Sequence, residues 1–177
     1  MNSQTNIRFL TRTAILLAIA LVIQMGGFPQ PVTGPLVNTV LYLSAMIVGW
    51  FGGVLIGICT PVIAALRGIL PPPLAPLIPF IALGNGILVI IFYFLKSKNN
   101  IIAIIMASLA KFLILASAVN FLVQVPPKVA QMMSLPQLIT ALVGGAIALL
   151  AAKGLQASGL GILKESHSKW YEKERKN

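Results

Sequence analysis

The sequence predicts an all-α integral membrane protein: a six-transmembrane-helix bundle with both termini cytoplasmic and an outward-facing pocket. Three observations predict it. Of the 177 residues, 58% are hydrophobic and 9% charged, and the mean hydropathy is +0.94. A soluble domain of this length cannot cover that much apolar surface, because its own surface needs charge. Several apolar runs approach or exceed the ~18–20 residues that cross a bilayer as a helix. The basic residues, finally, gather at the ends of those runs and mostly on one side, as cytoplasmic loops require.

Taken in order, the first span is expected over residues 7–25, behind Arg8 and Arg12. A charged start before an apolar run also fits a signal peptide, but no small-residue cleavage site follows it. A Gly-Pro-rich connection is expected over 26–35 and a short second span over 36–50, with Trp50, Phe51, Gly52 and Gly53 forming a tight turn. The third span is placed at 53–66 and carries Pro61, a kink candidate. The stretch from Thr60 to Pro79 holds six prolines around Arg67. Prolines donate no backbone hydrogen bond, so stiff extended turns are expected there. In a membrane, such backbone is tolerated where it is buried in protein or lines a wet cavity. The fourth span is expected at 77–95, the fifth at 101–123, a second Pro-containing loop at 124–136, and the sixth span at 137–152. Residues 1–159 make the membrane domain and 160–177 a polar cytoplasmic tail, with Trp170 and Tyr171 as interfacial anchors.

Orientation follows from counting. With the N-terminus inside, Arg8, Arg12, Lys96, Lys98, Lys153, Lys164, Lys169, Lys173, Arg175 and Lys176 face the cytoplasm, while Arg67 and Lys128 face outward. Three proline-rich connections then share the outer side, where a pocket is expected to open.

All three acids, Glu165, Glu172 and Glu174, lie in the tail, so residues 1–164 hold Lys and Arg but no Asp or Glu. That excludes carboxylate metal sites and acid–base pairs, and the single His167 is also in the tail. No zinc cluster can form, no phosphate-binding Gly-x-x-x-x-Gly-Lys loop is present, and neither an enzyme nor a resident cofactor or metal is expected. Intramembrane proton relays need a carboxylate or histidine, which disfavours a proton-coupled carrier. The net charge of +10 comes without a nucleic-acid motif or interleaved aromatics, so no nucleic-acid partner is expected. Cys59 reads as a small packing residue in a span.

A charge at mid-bilayer costs about 2.5–3.5 kcal/mol on insertion scales and finds a protein or ligand partner. Arg67 sits beside the proline-rich mouth and reads either as a guanidinium reaching lipid headgroups or as a clamp for a ligand carboxylate or phosphate. Lys111 is too deep in the fifth span to reach either interface, so it faces protein or cavity; a structural role is as well supported as ligand contact. Gln24, Asn38, Asn85 and Asn120 are the amides within spans, each readable as interhelical glue. Asn85 lies between Gly84 and Gly86, where a helix can open for close backbone approach. Arg67, Asn38, Asn85, Asn120, Gln124 and Lys128 together form the candidate substrate-binding set. Phe28, Phe80 and Phe121 are the few aromatics near that level, a poor stacking surface for a large ring system.

Ala14 and Ala18 stand four apart on the first span with Thr11 one turn earlier, a smooth strip on which another helix can pack. Gly53 and Gly57 form a second strip on the third span. Chain length, six spans, both ends inside, the Arg-flanked first span with its Ala-x-x-x-Ala strip and irregular outer loops resemble the substrate-binding S component of energy-coupling factor (ECF) transporters, over residues 7–153. The resemblance implies capture of a vitamin or cofactor precursor at the outer face of a prokaryotic plasma membrane. It implies docking through Ala14 and Ala18 on a transmembrane coupling (T) subunit driven by two cytoplasmic ATPase subunits, with lipid around the rest. The aromatic-rich patterns of thiamine or riboflavin binders are absent. Two other readings stay open on the residues alone: a stand-alone carrier or flippase for a small amphiphile, and a non-transporting assembly subunit.

Overall fold

The computed structural model describes residues 3–70 and 72–158; the expected tail at 160–177, with Trp170 and Tyr171, lies outside the described residues. Helix α1 spans Ser3–Met25 and ends at Gly26 and Gly27, the latter at φ +67°, a backbone region open to glycine. Helix α2 spans Gln30–Ile47. The expected Gly-Pro connection is therefore shorter than 26–35. Pro31 sits in the first turn of α2, where its missing N–H would have had no partner anyway.

A single residue, Val48, separates α2 from α3 (Gly49–Leu66). Gly49, at φ +83°, makes the reversal, so the tight turn expected at 50–53 lies one to two residues earlier, and Trp50 and Phe51 belong to the first turn of α3. Arg67 caps α3, its backbone N–H bonding the Ile63 carbonyl. The proline-rich stretch is not extended: Pro72–Leu77 is a 3-10 helix leading straight into α4 (Ile78–Leu95). Proline fixes φ near −65°, which suits a 3-10 turn as well as an extended one, and the burial of Leu74 and Leu77 accompanies the helical choice. α4 runs unbroken through Gly84, Asn85 and Gly86, so the helix does not open there.

Asn99 caps α5 (Asn100–Ser117), its Oδ1 accepting from the backbone N–H of Ile101 at 2.8 Å and of Ile102 at 3.2 Å. The helix widens to a π-helical turn over Ala118–Leu122. Helix α6 (Pro127–Met132) occupies part of the loop expected at 124–136, and α7 spans Leu135–Ala157. Among the described residues there is no strand.

Among the described residues, five segments are long and apolar enough to cross a membrane: Asn6–Met25, Gly49–Leu66, Pro72–Leu95, Asn100–Leu122 and Pro127–Ala157. α2, the expected second span, is not among them, because Gln30, Asn38, Thr39 and Ser44 lower its hydropathy. Yet α2 is the centre of the bundle, packed against α7, α3, α1 and α4. The polar side chains that make it a poor span on composition are buried: Asn38, Thr39 and Ser44 are 1%, 8% and 0% exposed.

The α2–α7 seam is close. A Cβ on Gly144 would stand 2.7 Å from both Asn38 Cβ and the Pro35 carbonyl oxygen, so only glycine allows this approach. Thr39 Oγ1 lies 2.9 Å from the Pro35 carbonyl and 3.1 Å from that of Gly144, tying α2 to α7 across the seam. Tyr42 meets Ser108 Oγ of α5 at 2.9 Å and packs edge-on against Phe92, centroids 4.8 Å apart. Around them Leu41, Ile56, Leu88 and Val89 form the fully buried core.

Candidate functional site

The two ends of the bundle differ. At one end the short turn after α4, the start of α5 and the end of α7 enclose a basic cavity of ≈ 610 Å³ lined by Lys96, Lys98 and Lys153. Lys96 Nζ donates to the Ala45 carbonyl at 3.1 Å and lies 4.7 Å from the Tyr93 ring centroid; burial pushes its ammonium down from the usual lysine range to about 8.

At the other end the α1–α2 connection, the 3-10 segment and the start of α7 converge. A cavity of ≈ 80 Å³ lies beneath them, among α2, α4, α5 and α7. Its polar lining comes from Gln24, Gln30, Thr33, Asn38, Asn85, Lys111 and Gln137, and its apolar lining includes Val37, Leu74, Ile81 and Met133. This second cavity is the smaller one, and its chemistry is the more unusual.

Lys111, 4% exposed, projects from α5 and donates from Nζ to Asn38 Oδ1 of α2 at 2.7 Å. That amide oxygen is the one acceptor the described residues supply, whereas an ammonium has three N–H donors. Asn85, 3% exposed, donates from Nδ2 to the Gly57 carbonyl at 3.0 Å, joining α4 to α3. The bond fixes which way the amide faces, and it leaves the buried Oδ1 without a partner among the described residues. Gln24 Oε1 is in the same position. Buried polar atoms are nearly always paired, and each unpaired one costs about 1–3 kcal/mol. The residues around this one small cavity thus include a cation with spare donors and two amides that each carry an unpaired oxygen. Such a set can bind a polar group that offers both an anionic oxygen and a donor. No His/Cys/Asp/Glu cluster able to hold a metal occurs among the described residues.

Of the six residues expected to bind substrate, Asn38 and Asn85 line this cavity. Arg67, Asn120, Gln124 and Lys128 are exposed and outside its lining. Arg67 follows the last turn of α3 and precedes the chain reversal at Gly68, φ +67°. Asn120 bends back onto its own helix, Nδ2 donating to the Ala116 carbonyl at 2.7 Å. Lys111, Gln24, Gln30, Thr33 and Gln137 are the polar lining residues outside that set. For Lys111 the sequence signal was its depth in an acid-free span; its partner lies 73 positions away, a pairing no local pattern discloses.

The two small-residue strips also part company. Thr11, Ala14 and Ala18 are exposed on α1, between the exposed Leu10, Ile15, Ile19 and Val22. Gly53 and Gly57 are buried, against Ser44 and Val89 and against Asn85 respectively.

In comparisons with known proteins, a family model described as "ECF transporter, substrate-specific component" matches residues 8–155. Neither a curated protein nor a solved structure matches the chain.

Proposed function

The chain belongs to the family of ECF-transporter substrate-specific components, and on that premise we propose that it captures a small, anionic vitamin or cofactor precursor at the outer face of a prokaryotic plasma membrane. Members of the family are substrate-binding transporter subunits rather than enzymes, working with a T subunit and an ATPase module. The chain is a multi-pass membrane protein on both its family and its five membrane-capable helices. In this reading α2 is the sixth span, shielded from lipid by its neighbours, and its polar residues face the cavity instead of hydrocarbon. The positive-inside rule puts the lysine-rich turn after α4 in the cytoplasm. The cavity around Lys111 then opens outward.

The observation that carries the reading is Lys111: a buried lysine, held by a neutral amide, in a membrane body without carboxylates. Such a group is costly, and it is retained where it serves a ligand or a pathway. The cavity at ≈ 80 Å³ is smaller than the roughly 300–1,000 Å³ typical of ligand sites, so it accommodates the polar head while the covering connections part for the remainder. Arg67 and Lys128, exposed beside the connections that cover it, attract anions toward the entrance. On α1, the exposed Ala14–Ala18 strip is the docking face for the T subunit.

Denaturing mass spectrometry of the purified chain, prepared without nucleotide, tests the reading. A retained small molecule, lost on excess competing nutrient, is the expected result. Accumulation of substrate in liposomes by the chain alone, with no ATPase partner, would instead make it a stand-alone carrier.

A further inference from the structure

We propose that the substrate is a small carboxylic acid bearing an N–H or O–H donor close to its carboxylate, the carboxylate meeting Lys111 and the donor meeting Asn85 Oδ1. The proposal rests on the capture reading above and narrows it to a class of molecule.

Among the described residues the lining contains one cation, Lys111, and no acid. One lysine matches the single charge of a carboxylate. A phosphate monoester carries nearly two charges, and no second cation lines the cavity. Lys111 Nζ spends one N–H on Asn38 Oδ1, which fixes the ammonium and leaves two donors for a carboxylate oxygen. Asn85 adds the second requirement. Its Nδ2 is committed to the Gly57 carbonyl, and its Oδ1 is buried and unpartnered. An acceptor in that state calls for a donor, which a bare carboxylate cannot supply. Gln24 Oε1, also unpartnered and in the same lining, offers a place for another. The cavity volume suits a head of a few heavy atoms, and the apolar Val37, Leu74 and Ile81 suit a short aliphatic body.

The test is thermal melting of the detergent-purified full chain against four matched sets of compounds. These are hydroxy acids and N-acyl amino acids, their primary amides, plain alkyl acids of equal length, and phosphate monoesters of the same alcohols. At least one donor-bearing acid is expected to raise the melting temperature, while its amide, the alkyl acid and the phosphate ester do not at equal concentration. Lys111→Met is expected to bind that acid about 30-fold or more weakly, the size of effect seen when one partner of a buried charge pair is truncated. Asn85→Leu should bind the donor-bearing acid and the alkyl acid alike. An amide that stabilises as well as its acid, a preferred phosphate ester, or a Lys111→Met chain with undiminished affinity would overturn the class. Retention of a neutral nutrient on the purified chain would do so while leaving the capture reading intact. If no compound shifts melting and none is retained, both fall. The acid–amide comparison on the parent chain decides the question even if a variant fails to fold.

Discussion

Helices α1 and α2 are neighbours in sequence and opposite in use. α1 passes every compositional test for a span, yet only 11% of its window is buried inside the protein. α2 fails the hydropathy test and is the most enclosed helix of the bundle, with buried residues from Gly34 to Met46. Hydropathy reports the solvent a helix meets, and in a bundle the central helix meets protein. Apolar α1 presents a face to lipid or a partner; polar α2 organises the cavity.

The sharpest way to break this contrast is at the α2–α7 seam. Gly144→Leu places side-chain atoms where Asn38 and the Pro35 carbonyl already stand, and overpacking of this kind costs about 3 kcal/mol or more. It should show as a large drop in melting temperature, whereas the same increase in size on exposed α1 at Ala14 should leave melting nearly unchanged. Next, leucines at both Ala14 and Ala18 should cut ATP-driven uptake at least about tenfold, as expected for bulk forced into a close helix–helix contact, with binding to the isolated chain unaltered. Loss of binding would mean that α1 is as internal as α2.

A smaller effect is expected of Asn38→Leu. It removes the acceptor that positions Lys111 Nζ, a loss of about 1–2 kcal/mol or roughly tenfold in affinity. Smaller again is Arg67→Ala. An exposed cation near an entrance should alter the association rate and its salt dependence a few-fold and leave the dissociation rate alone. A faster dissociation would return Arg67 to direct ligand contact. The smallest concerns the far end of α2, where Lys96 is held near the Ala45 carbonyl with its proton affinity lowered to about 8. Its folded value lies below its unfolded one, so the cost of charging it in the fold is complete below pH 8 and fades as pH rises toward 10.5. Lys96→Met should therefore melt higher than the parent near pH 7, and the gap should narrow above pH 8 and close only above about pH 10.5.

Much of this was legible in the sequence. Apolar run lengths place all but one of the long helices, and the sequence alone shows that residues 1–164 hold no Asp or Glu. The α2–α3 boundary was displaced because Gly49, Gly52 and Gly53 are equivalent as turn formers on paper; only Gly49 takes a positive φ, while Gly52 and Gly53 serve packing against Val48, Phe9, Ser44 and Val89. Arg67 was prominent because prolines surround it along the chain, but exposure is set by which helices come to lie beside it. Lys111 could be placed away from lipid by its depth alone. That Asn38 receives it and that Asn85 is turned toward Gly57 are facts of tertiary contact, between residues 73 and 28 positions apart.

The central claim, a capture cavity open to the outside between α2, α5 and α7, is tested most directly by labelling Thr33→Cys in a Cys59→Ser background. Thr33 is half-buried in the cavity lining, on the first turns of α2. A membrane-impermeant maleimide added to intact cells should modify the new thiol, and the acid that stabilises the purified chain should protect it. Labelling only after the membrane is permeabilised, or at a rate the acid does not change, would contradict the account.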